Sequence, residues 1–196
     1  MNIQGFQKLT LLDYPGKMAC TVFTAGCNLR CPFCHNSRLV INPSQQSEFT
    51  VDEILSYLKK REGILDGVAI TGGEPLMQSD IEAFIRQVRE LGFSVKLDTN
   101  GTYPEKLKDL VNKGLVDYVA MDIKNSPEGY PETVGIGGYD ISKIKESIDF
   151  LINGNVDYEF RTTVVRELHS VFSIDRIGKL IEGAKRHYIQ AFVDSG

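Results

Sequence analysis

Apolar residues recur along this chain in two alternating patterns, one with the period of an α-helix and one with the short runs of a buried strand. Helical spacing is found over residues 51–61, 79–91, 104–112, 141–153 and 174–186. Between these segments lie short runs rich in Val, Ile and aromatic residues, which are typical of strands: residues 67–71, 94–98, 118–122, 158–165 and 188–193. This alternation predicts a parallel sheet whose strands are joined by helices.

The first part of the chain has a different pattern. Residues 8–12 and 18–24 are apolar-rich and are joined by Asp13-Tyr14-Pro15-Gly16, whose proline and glycine favour a tight turn. We therefore predict an N-terminal hairpin over residues 1–25, whose second strand leads into a loop over residues 26–36. With 18–24, six strands alternate with helices, a pattern that fits either a barrel or a flat doubly wound sheet.

Composition limits the classes of protein that this chain can belong to. Its 196 residues, 42% hydrophobic and 24% charged, predict one globular domain over residues 1–196. A formal charge of −4 offers no broad basic surface for nucleic acid, and no apolar run approaches the roughly 20 residues that cross a bilayer. The start lacks the pattern of an export signal. We therefore expect a cytoplasmic protein with reduced cysteines and no nucleic-acid or membrane partner.

Three of the four cysteines lie within eight residues: Cys27, Cys31 and Cys34. Three thiolates can hold three irons of a four-iron cluster and leave the fourth iron open to a small ligand. A zinc site completed by Cys20 or His35 is an alternative. His35 directly follows a cysteine, however, which makes joint ligation of one ion awkward. Cys20 lies on a predicted strand, and we interpret it as a core residue.

Polar residues follow the predicted strands, where the reactive groups of strand–helix barrels gather. After the second strand, Gly72 and Gly73 allow the backbone to approach a ligand closely, and Glu74 adds a negative charge; together they can face an ammonium group. The alternative is a simple strand-to-helix turn with Pro75 at the start of the helix.

Two further strand ends carry polar side chains. Asp98, Thr99 and Asn100 follow the third strand and can hydrogen-bond a ligand, although an Asx turn is the alternative. Asp122 and Lys124 end the fourth strand on one side of an extended chain, so they can form a pair and meet a zwitterion. A solvated lysine is the alternative at the latter position.

The fifth strand contains Arg161, which needs a buried anionic partner if it faces the barrel interior. Glu74 or a bound ligand is the expected partner. His169 follows in a loop, where we expect it to be solvated.

The cysteine spacing, with Phe33 directly before the last cysteine, and the segment Thr71-Gly72-Gly73-Glu74-Pro75 resemble the radical S-adenosylmethionine superfamily. The resemblance implies a partial (β/α)6 TIM-like barrel with parallel strands and an N-terminal hairpin. It implies that S-adenosylmethionine chelates the open iron of a [4Fe-4S] cluster held by Cys27, Cys31 and Cys34. Phe33 would then lie against adenine, while Gly72, Gly73 and Glu74 would hold the methionine amino group.

The segments Asp98-Thr99-Asn100-Gly101 and Met121-Asp122-Ile123-Lys124 are similar to those of activating enzymes for glycyl radical enzymes. In that family these positions surround the methionyl carboxylate, in some members together with a monovalent cation. The resemblance implies that Lys124 binds the carboxylate. We expect Arg161 to belong to the same cofactor site.

Residues 5–17 and 23–28 resemble the activating proteins of anaerobic ribonucleoside-triphosphate reductase. The resemblance implies that a 5′-deoxyadenosyl radical abstracts a glycine Cα hydrogen from a partner reductase, with an electron supplied by flavodoxin or ferredoxin. It also implies that this sequence stops short of the usual C-terminal end. Three alternatives stay open: an activase of pyruvate formate-lyase or another glycyl radical enzyme, a small-molecule radical enzyme such as a carboxy-deazaguanine synthase, and a non-catalytic zinc-binding module.

Overall fold

The computed structural model describes residues 1–41 and 47–193, and within these ranges it forms one sheet of seven strands in chain order. The strands are β1 Ile3–Thr10, β2 Ala19–Thr24, β3 Gly67–Gly72, β4 Ser94–Thr99, β5 Tyr118–Asp122, β6 Asp157–Val164 and β7 His187–Ala191. β1 and β2 pair antiparallel, and every following neighbour is parallel. The predicted hairpin and partial parallel barrel are therefore confirmed.

Helices cover the outer side of this sheet. They are α1 Ser37–Ile41, α2 Val51–Lys59, α3 Ile81–Glu90, α4 Pro104–Asn112, α5 Tyr130–Thr133, α6 Ser142–Asn153 and α7 Val171–Leu180. The five predicted helices are all present, whereas α1 and α5 are too short to produce a periodic pattern. α7 begins before residue 174 because the Ser170 hydroxyl accepts the backbone N–H of Ser173 at 3.1 Å, which caps the helix. None of the helices in the described ranges is long and apolar enough to cross a membrane.

The first strand differs from its prediction over residues 8–12. The hydroxyl of Thr10 accepts the backbone N–H groups of Leu12 and Asp13 at 3.2 and 3.1 Å, so the chain turns where a strand was expected. Leu11 and Leu12 are 70% and 89% exposed. Apolar composition alone was misleading here, because a strand also needs a neighbour for its backbone.

Alternation along each strand separates a packed outer face from a polar interior. On β4, Val95 and Leu97 are buried in the core between sheet and helices, whereas Lys96 and Asp98 contact each other in the barrel interior. Cys20 on β2 is also buried in this core, as the sequence predicted. The carboxyl ends of the parallel strands meet at one rim, and the polar interior opens there.

Candidate active site

A cavity of about 380 Å³ opens at the carboxyl ends of the strands, a volume that suits a small ligand. Its wall combines residues from the loop after β2 and from the ends of β3, β4, β5 and β6. The predicted site residues that line it are Cys27, Cys31, Phe33, Cys34, Gly72, Gly73, Asp98, Thr99, Asn100, Asp122, Lys124 and Arg161. Tertiary structure thus brings all but one of the predicted site residues into a single cavity wall.

The loop over residues 26–36, here called the cysteine loop, supplies three free thiols to this cavity: Cys27, Cys31 and Cys34. Burial raises the pKa of Cys31 to about 11, and it also raises the pKa of Cys27. In the described part of the chain, no three His, Cys, Asp or Glu side chains converge on a point where one ion could bind. Cysteines of a cubane bind different irons and need not converge, so this donor set fits a four-iron cluster.

Gly72 and Gly73 allow the end of β3 to pack closely against the cysteine loop. A Cβ atom on Gly73 would lie 1.9 Å from the carbonyl oxygen of Gly26, and Gly72 has φ +121°. The backbone N–H groups of Gly73 and Glu74 donate to the carbonyls of Thr24 and Gly26, each at 2.8 Å. Only glycine permits this close approach of two backbones.

Glu74 is fully buried behind the cavity wall. Its Oε1 accepts the N–H of Leu76 at 3.0 Å and the hydroxyl of Thr99 at 2.9 Å, and its Oε2 accepts the N–H of Asn100 at 2.7 Å. Burial raises the pKa of Glu74 to about 7, although these hydrogen bonds favour the charged form. The expectation that Glu74 faces an ammonium group is therefore corrected: the carboxylate faces the loop after β4.

The Asn100 side chain is also engaged within the protein. Its Nδ2 lies 3.6 Å from Sγ of Cys27 and 3.0 Å from Oδ1 of Asn28. Its Oδ1 accepts the N–H and the hydroxyl of Thr102 at 3.0 and 2.6 Å. Both ends of the amide thus have partners on the loops, while Asn100 still lines the cavity, and its contact with the ribose of S-adenosylmethionine stays a prediction.

A chain of alternating charges runs through the barrel interior. Lys96 pairs with Asp98, whose Oδ2 lies 3.1 Å from Nη1 of Arg161. Nη2 of Arg161 lies 3.1 Å from Oδ1 of Asp122, and Oδ2 of Asp122 lies 2.8 Å from Nζ of Lys124. The anionic partners of Arg161 are thus two aspartates, which corrects the expected pairing with Glu74.

These pairs keep their members charged. Burial alone would raise the pKa of Asp122, but the Lys124 ammonium and the Arg161 guanidinium hold it well below its usual range. Burial lowers the pKa of Lys124, whereas the Asp122 carboxylate raises it above its ordinary value. A zwitterionic ligand in the cavity would meet fixed charges of both signs.

Two residues of the site were missed or misjudged in the sequence. Lys96 is 1% exposed, and its position two residues before Asp98 on the same strand was the signal that it shares the interior face. His169 was expected to be solvated, but its Nε2 lies 2.9 Å from the carbonyl oxygen of Lys124, and Nδ1 accepts the N–H of Val165 at 3.1 Å. It connects the loop after β6 to the end of β5.

The aromatic wall of the cavity contains Phe33. Its ring meets Phe192 edge to face at 6.0 Å between centroids, and His35 stacks on Phe192 at 4.9 Å. The residue after β7 therefore packs on the cysteine loop. The position of Phe33 beside an adenine ring stays a prediction.

Fold and cavity together define a parallel strand–helix barrel with three free thiols at its open end. The family model described as the Radical SAM superfamily matches residues 21–170, and the chain belongs to this superfamily. Members of the superfamily use a [4Fe-4S] cluster and S-adenosylmethionine, so the family-level prediction of both cofactors is confirmed.

Curated relatives indicate which kind of radical S-adenosylmethionine enzyme this chain resembles. The chain is 36% identical, over 194 residues, to the "Putative glycyl-radical enzyme activating enzyme MJ1227" of Methanocaldococcus jannaschii, covering 97% of this chain and 79% of that protein. It is 33% identical over 151 residues to the pyruvate formate-lyase-activating enzyme of Clostridium pasteurianum, covering 71% of this chain and 60% of that enzyme. These similarities confirm the prediction of a radical S-adenosylmethionine enzyme of the activating class.

A solved structure supports the fold independently. The structure of native anSMEcpe with bound AdoMet has a TM-score of 0.66 and 21% sequence identity, and the match covers 87% of this chain and 50% of that one. At this identity the likeness establishes the fold alone. The chain spans about half the length of this neighbour and 60% of the Clostridium enzyme.

Proposed function

We propose that this protein installs a glycyl radical on a partner enzyme, and that the partner is anaerobic ribonucleoside-triphosphate reductase. One observation carries the proposal: three cysteines and the charge pair of Asp122 and Arg161 line the same cavity. That combination can hold a cluster and a zwitterionic cosubstrate side by side. The similarity to activating enzymes and the resemblance of residues 5–17 and 23–28 to the reductase activases support the choice of partner.

In this proposal Cys27, Cys31 and Cys34 hold the cluster, and Lys124 meets the methionyl carboxylate of S-adenosylmethionine. Gly72 and Gly73 line the cavity beside the cysteine loop, and in this proposal their backbone accepts hydrogen bonds from the methionyl ammonium. When bound, the reduced cluster supplies the electron that splits S-adenosylmethionine into methionine and a 5′-deoxyadenosyl radical. The remaining residues orient the cosubstrate and exclude water.

The substrate of the radical is a glycine of the partner protein. Transfer of one hydrogen atom from the glycine Cα to the 5′ carbon leaves a glycyl radical and releases 5′-deoxyadenosine. The glycine loop would enter at the strand ends, where the cavity opens. We also propose flavodoxin or ferredoxin as the electron donor and the cytoplasm as the compartment, because the site depends on reduced cysteines.

The first test is cofactor chemistry without a partner. The protein is reconstituted anaerobically with iron and sulfide, reduced with dithionite and supplied with S-adenosylmethionine; 5′-deoxyadenosine is then measured for wild type and Cys31→Ala. We expect product from wild type only. A colourless protein that retains one zinc and forms no product would support the zinc-binding alternative instead.

The second test identifies the partner. Reconstituted protein is mixed with anaerobic ribonucleotide reductase or with pyruvate formate-lyase, and the glycyl radical is recorded by electron paramagnetic resonance. A radical on the reductase alone supports the proposal, whereas a radical on the lyase alone would reassign the partner. Turnover of a carboxy-deazaguanine synthase substrate with no radical on either protein would favour the small-molecule alternative.

A further inference from the structure

We propose that Asn100 is a positioning residue that raises the reduction potential of the cluster, through a hydrogen bond from its side-chain amide to the sulfur of Cys27. The inference rests on the proposed function, because it requires a cluster on the three cysteines. Its subject is not the binding of the cluster or of S-adenosylmethionine. It concerns how readily the bound cluster accepts an electron.

The three candidate ligands differ in their hydrogen bonds. Sγ of Cys27 lies 3.6 Å from Nδ2 of Asn100 and 3.4 Å from the backbone nitrogen of Leu29, both within range for bonds to sulfur. Among the described residues, Sγ of Cys31 and Sγ of Cys34 accept no hydrogen bond. The site is therefore asymmetric, with its N–H donors concentrated on one sulfur.

The orientation of the Asn100 amide is fixed by its other partners. Its Oδ1 accepts both the N–H and the hydroxyl of Thr102, so the oxygen must point away from the sulfur. The second proton of Nδ2 goes to Oδ1 of Asn28. An amide flip would place an NH2 group against the backbone N–H of Thr102 and an oxygen against Oδ1 of Asn28, which leaves Nδ2 as the group that faces the sulfur.

The backbone of Asn100 is held just as firmly. Its N–H donates to Oε2 of the buried Glu74 at 2.7 Å, and the same carboxylate accepts the hydroxyl of Thr99 at 2.9 Å. Glu74 in turn donates its own backbone N–H to the carbonyl of Gly26, next to Cys27. The donor and the sulfur therefore belong to one hydrogen-bonded network, in which the buried Asn100 and Glu74 have little freedom to reorganise.

This geometry has an electrostatic consequence. An N–H donor stabilises negative charge on a thiolate, and the reduced cluster carries one electron more than the oxidised cluster. The bond is therefore stronger in the reduced state, which raises the potential. The effect is large when the site is shielded from water, and Asn100 is almost completely buried.

The test is a redox titration of the cluster, followed by electron paramagnetic resonance, in wild type and Asn100→Leu. Leucine has a similar volume but no donor. At the wild-type midpoint we expect the ratio of reduced to oxidised cluster to fall about tenfold in the variant, which is about 59 mV for one electron. The matched control is Asn153→Leu on the exposed side of α6, which we expect to leave the potential unchanged.

A second variant covers the case in which Asn100→Leu does not fold. Thr102→Val removes the hydroxyl that anchors Oδ1 while leaving the Asn100 amide in place, and we expect a smaller shift in the same direction. Iron and sulfide are quantified for every variant, so that loss of cluster is not read as a change of potential.

The outcomes separate the two proposals. An unchanged potential in fully loaded Asn100→Leu, or in Thr102→Val where only that variant folds, overturns this inference and leaves the proposed function standing. A wild-type protein that holds no four-iron cluster overturns both. A lower potential in the loaded variant, with the Asn153→Leu control unchanged, supports the inference.

Discussion

Nε and Nη2 of Arg161 both lie 3.1 Å from the same carboxylate oxygen of Asp122. Through Nη1 the guanidinium also reaches Asp98 at 3.1 Å, so one positive group lies between two carboxylates on neighbouring strands. The resemblance to activating enzymes had suggested a monovalent cation near these aspartates. In this structure the guanidinium of Arg161 supplies positive charge between the two aspartates.

We therefore expect S-adenosylmethionine to bind wild type equally well in potassium, sodium or a bulky organic cation. Arg161→Met removes the positive group between the two carboxylates and leaves each with one lysine partner, so binding by this variant should become stronger in potassium than in the organic cation. Isothermal titration of cluster-loaded protein measures both affinities. Binding by wild type that depends on potassium would contradict the prediction.

Arg161→Met should also be less stable than wild type. Arg161 makes hydrogen bonds to two half-buried carboxylates, and a hydrogen bond to a charged group contributes about 1.5–3 kcal/mol, so Arg161→Met should lower the free energy of unfolding by about 2 kcal/mol. Arg176→Met is the control, because Arg176 pairs with Glu128 at the surface and its loss should cost less than about 1 kcal/mol. Urea denaturation compares the two, and equal losses would argue against a structural ion pair in the barrel.

Lys124→Ala should weaken binding of S-adenosylmethionine at least about tenfold, since a hydrogen bond to a charged group contributes about 1.5–3 kcal/mol. The iron content should stay at the wild-type level, because the ammonium pairs with Asp122 and is not a cluster ligand. Lys108→Ala, which removes a surface lysine paired with Glu146, is the control. Unchanged affinity would remove Lys124 from the site.

Glu74 should make stability depend on pH. Its pKa is about 7 in the folded protein against about 4.5 in the unfolded chain, so between these values the folded state holds a proton that the unfolded state has lost. The free energy of unfolding therefore falls as pH rises from 4.5 to 7, by roughly 3 kcal/mol from this group, and then levels off. The groups facing the carboxyl are two N–H donors and the Thr99 hydroxyl, and the nearby Asp122 charge acts in the same direction as burial.

This pH dependence is measured by urea denaturation at pH 5 and pH 7.5. Glu74→Gln should remove most of the decrease, whereas Glu105→Gln on the exposed first turn of α4 should preserve it. The same decrease in wild type and Glu74→Gln would show that another group titrates.

Gly73→Ala should disrupt the junction between the end of β3 and the cysteine loop. The added Cβ would lie 1.9 Å from the carbonyl oxygen of Gly26, and relieving such overpacking costs about 1–3 kcal/mol. We expect a lower melting temperature and incomplete cluster loading. Gly178→Ala is the control: its Cβ meets nothing within 4 Å in α7, so it should stabilise the protein by up to about 1 kcal/mol.

Alanine at Cys27, Cys31 or Cys34 should prevent assembly of a stable four-iron cluster, because each removes one thiolate ligand. Cys20→Ala should retain nearly full iron, since this thiol is buried in the core away from the cavity. Iron and sulfide analysis after anaerobic reconstitution distinguishes the four variants. An equal loss of iron from Cys20→Ala would contradict the ligand assignment.

The alternating pattern predicted the parallel sheet and the five main helices because long periodic segments bury one face whatever their neighbours are. The prediction of a strand over residues 8–12 was wrong because composition does not show whether the backbone has a neighbouring strand to bond. Lys96 could have been found by alternation from Asp98. The contact of His169 with the carbonyl of Lys124 could not have been predicted, because it joins two loops through a turn geometry that sequence patterns do not encode.

Sequence by itself indicated the candidate donor set, since the cysteine spacing and the Gly-Gly-Glu segment are local features. It also determined which strand ends would carry charge. Only the tertiary structure decided that Glu74 points away from the cavity, that Arg161 pairs with two aspartates, and that the Asn100 amide faces the sulfur of Cys27. The reason is physical: a side chain's partner depends on which loops meet at the barrel rim, and that is fixed by strand register and packing across the whole sheet.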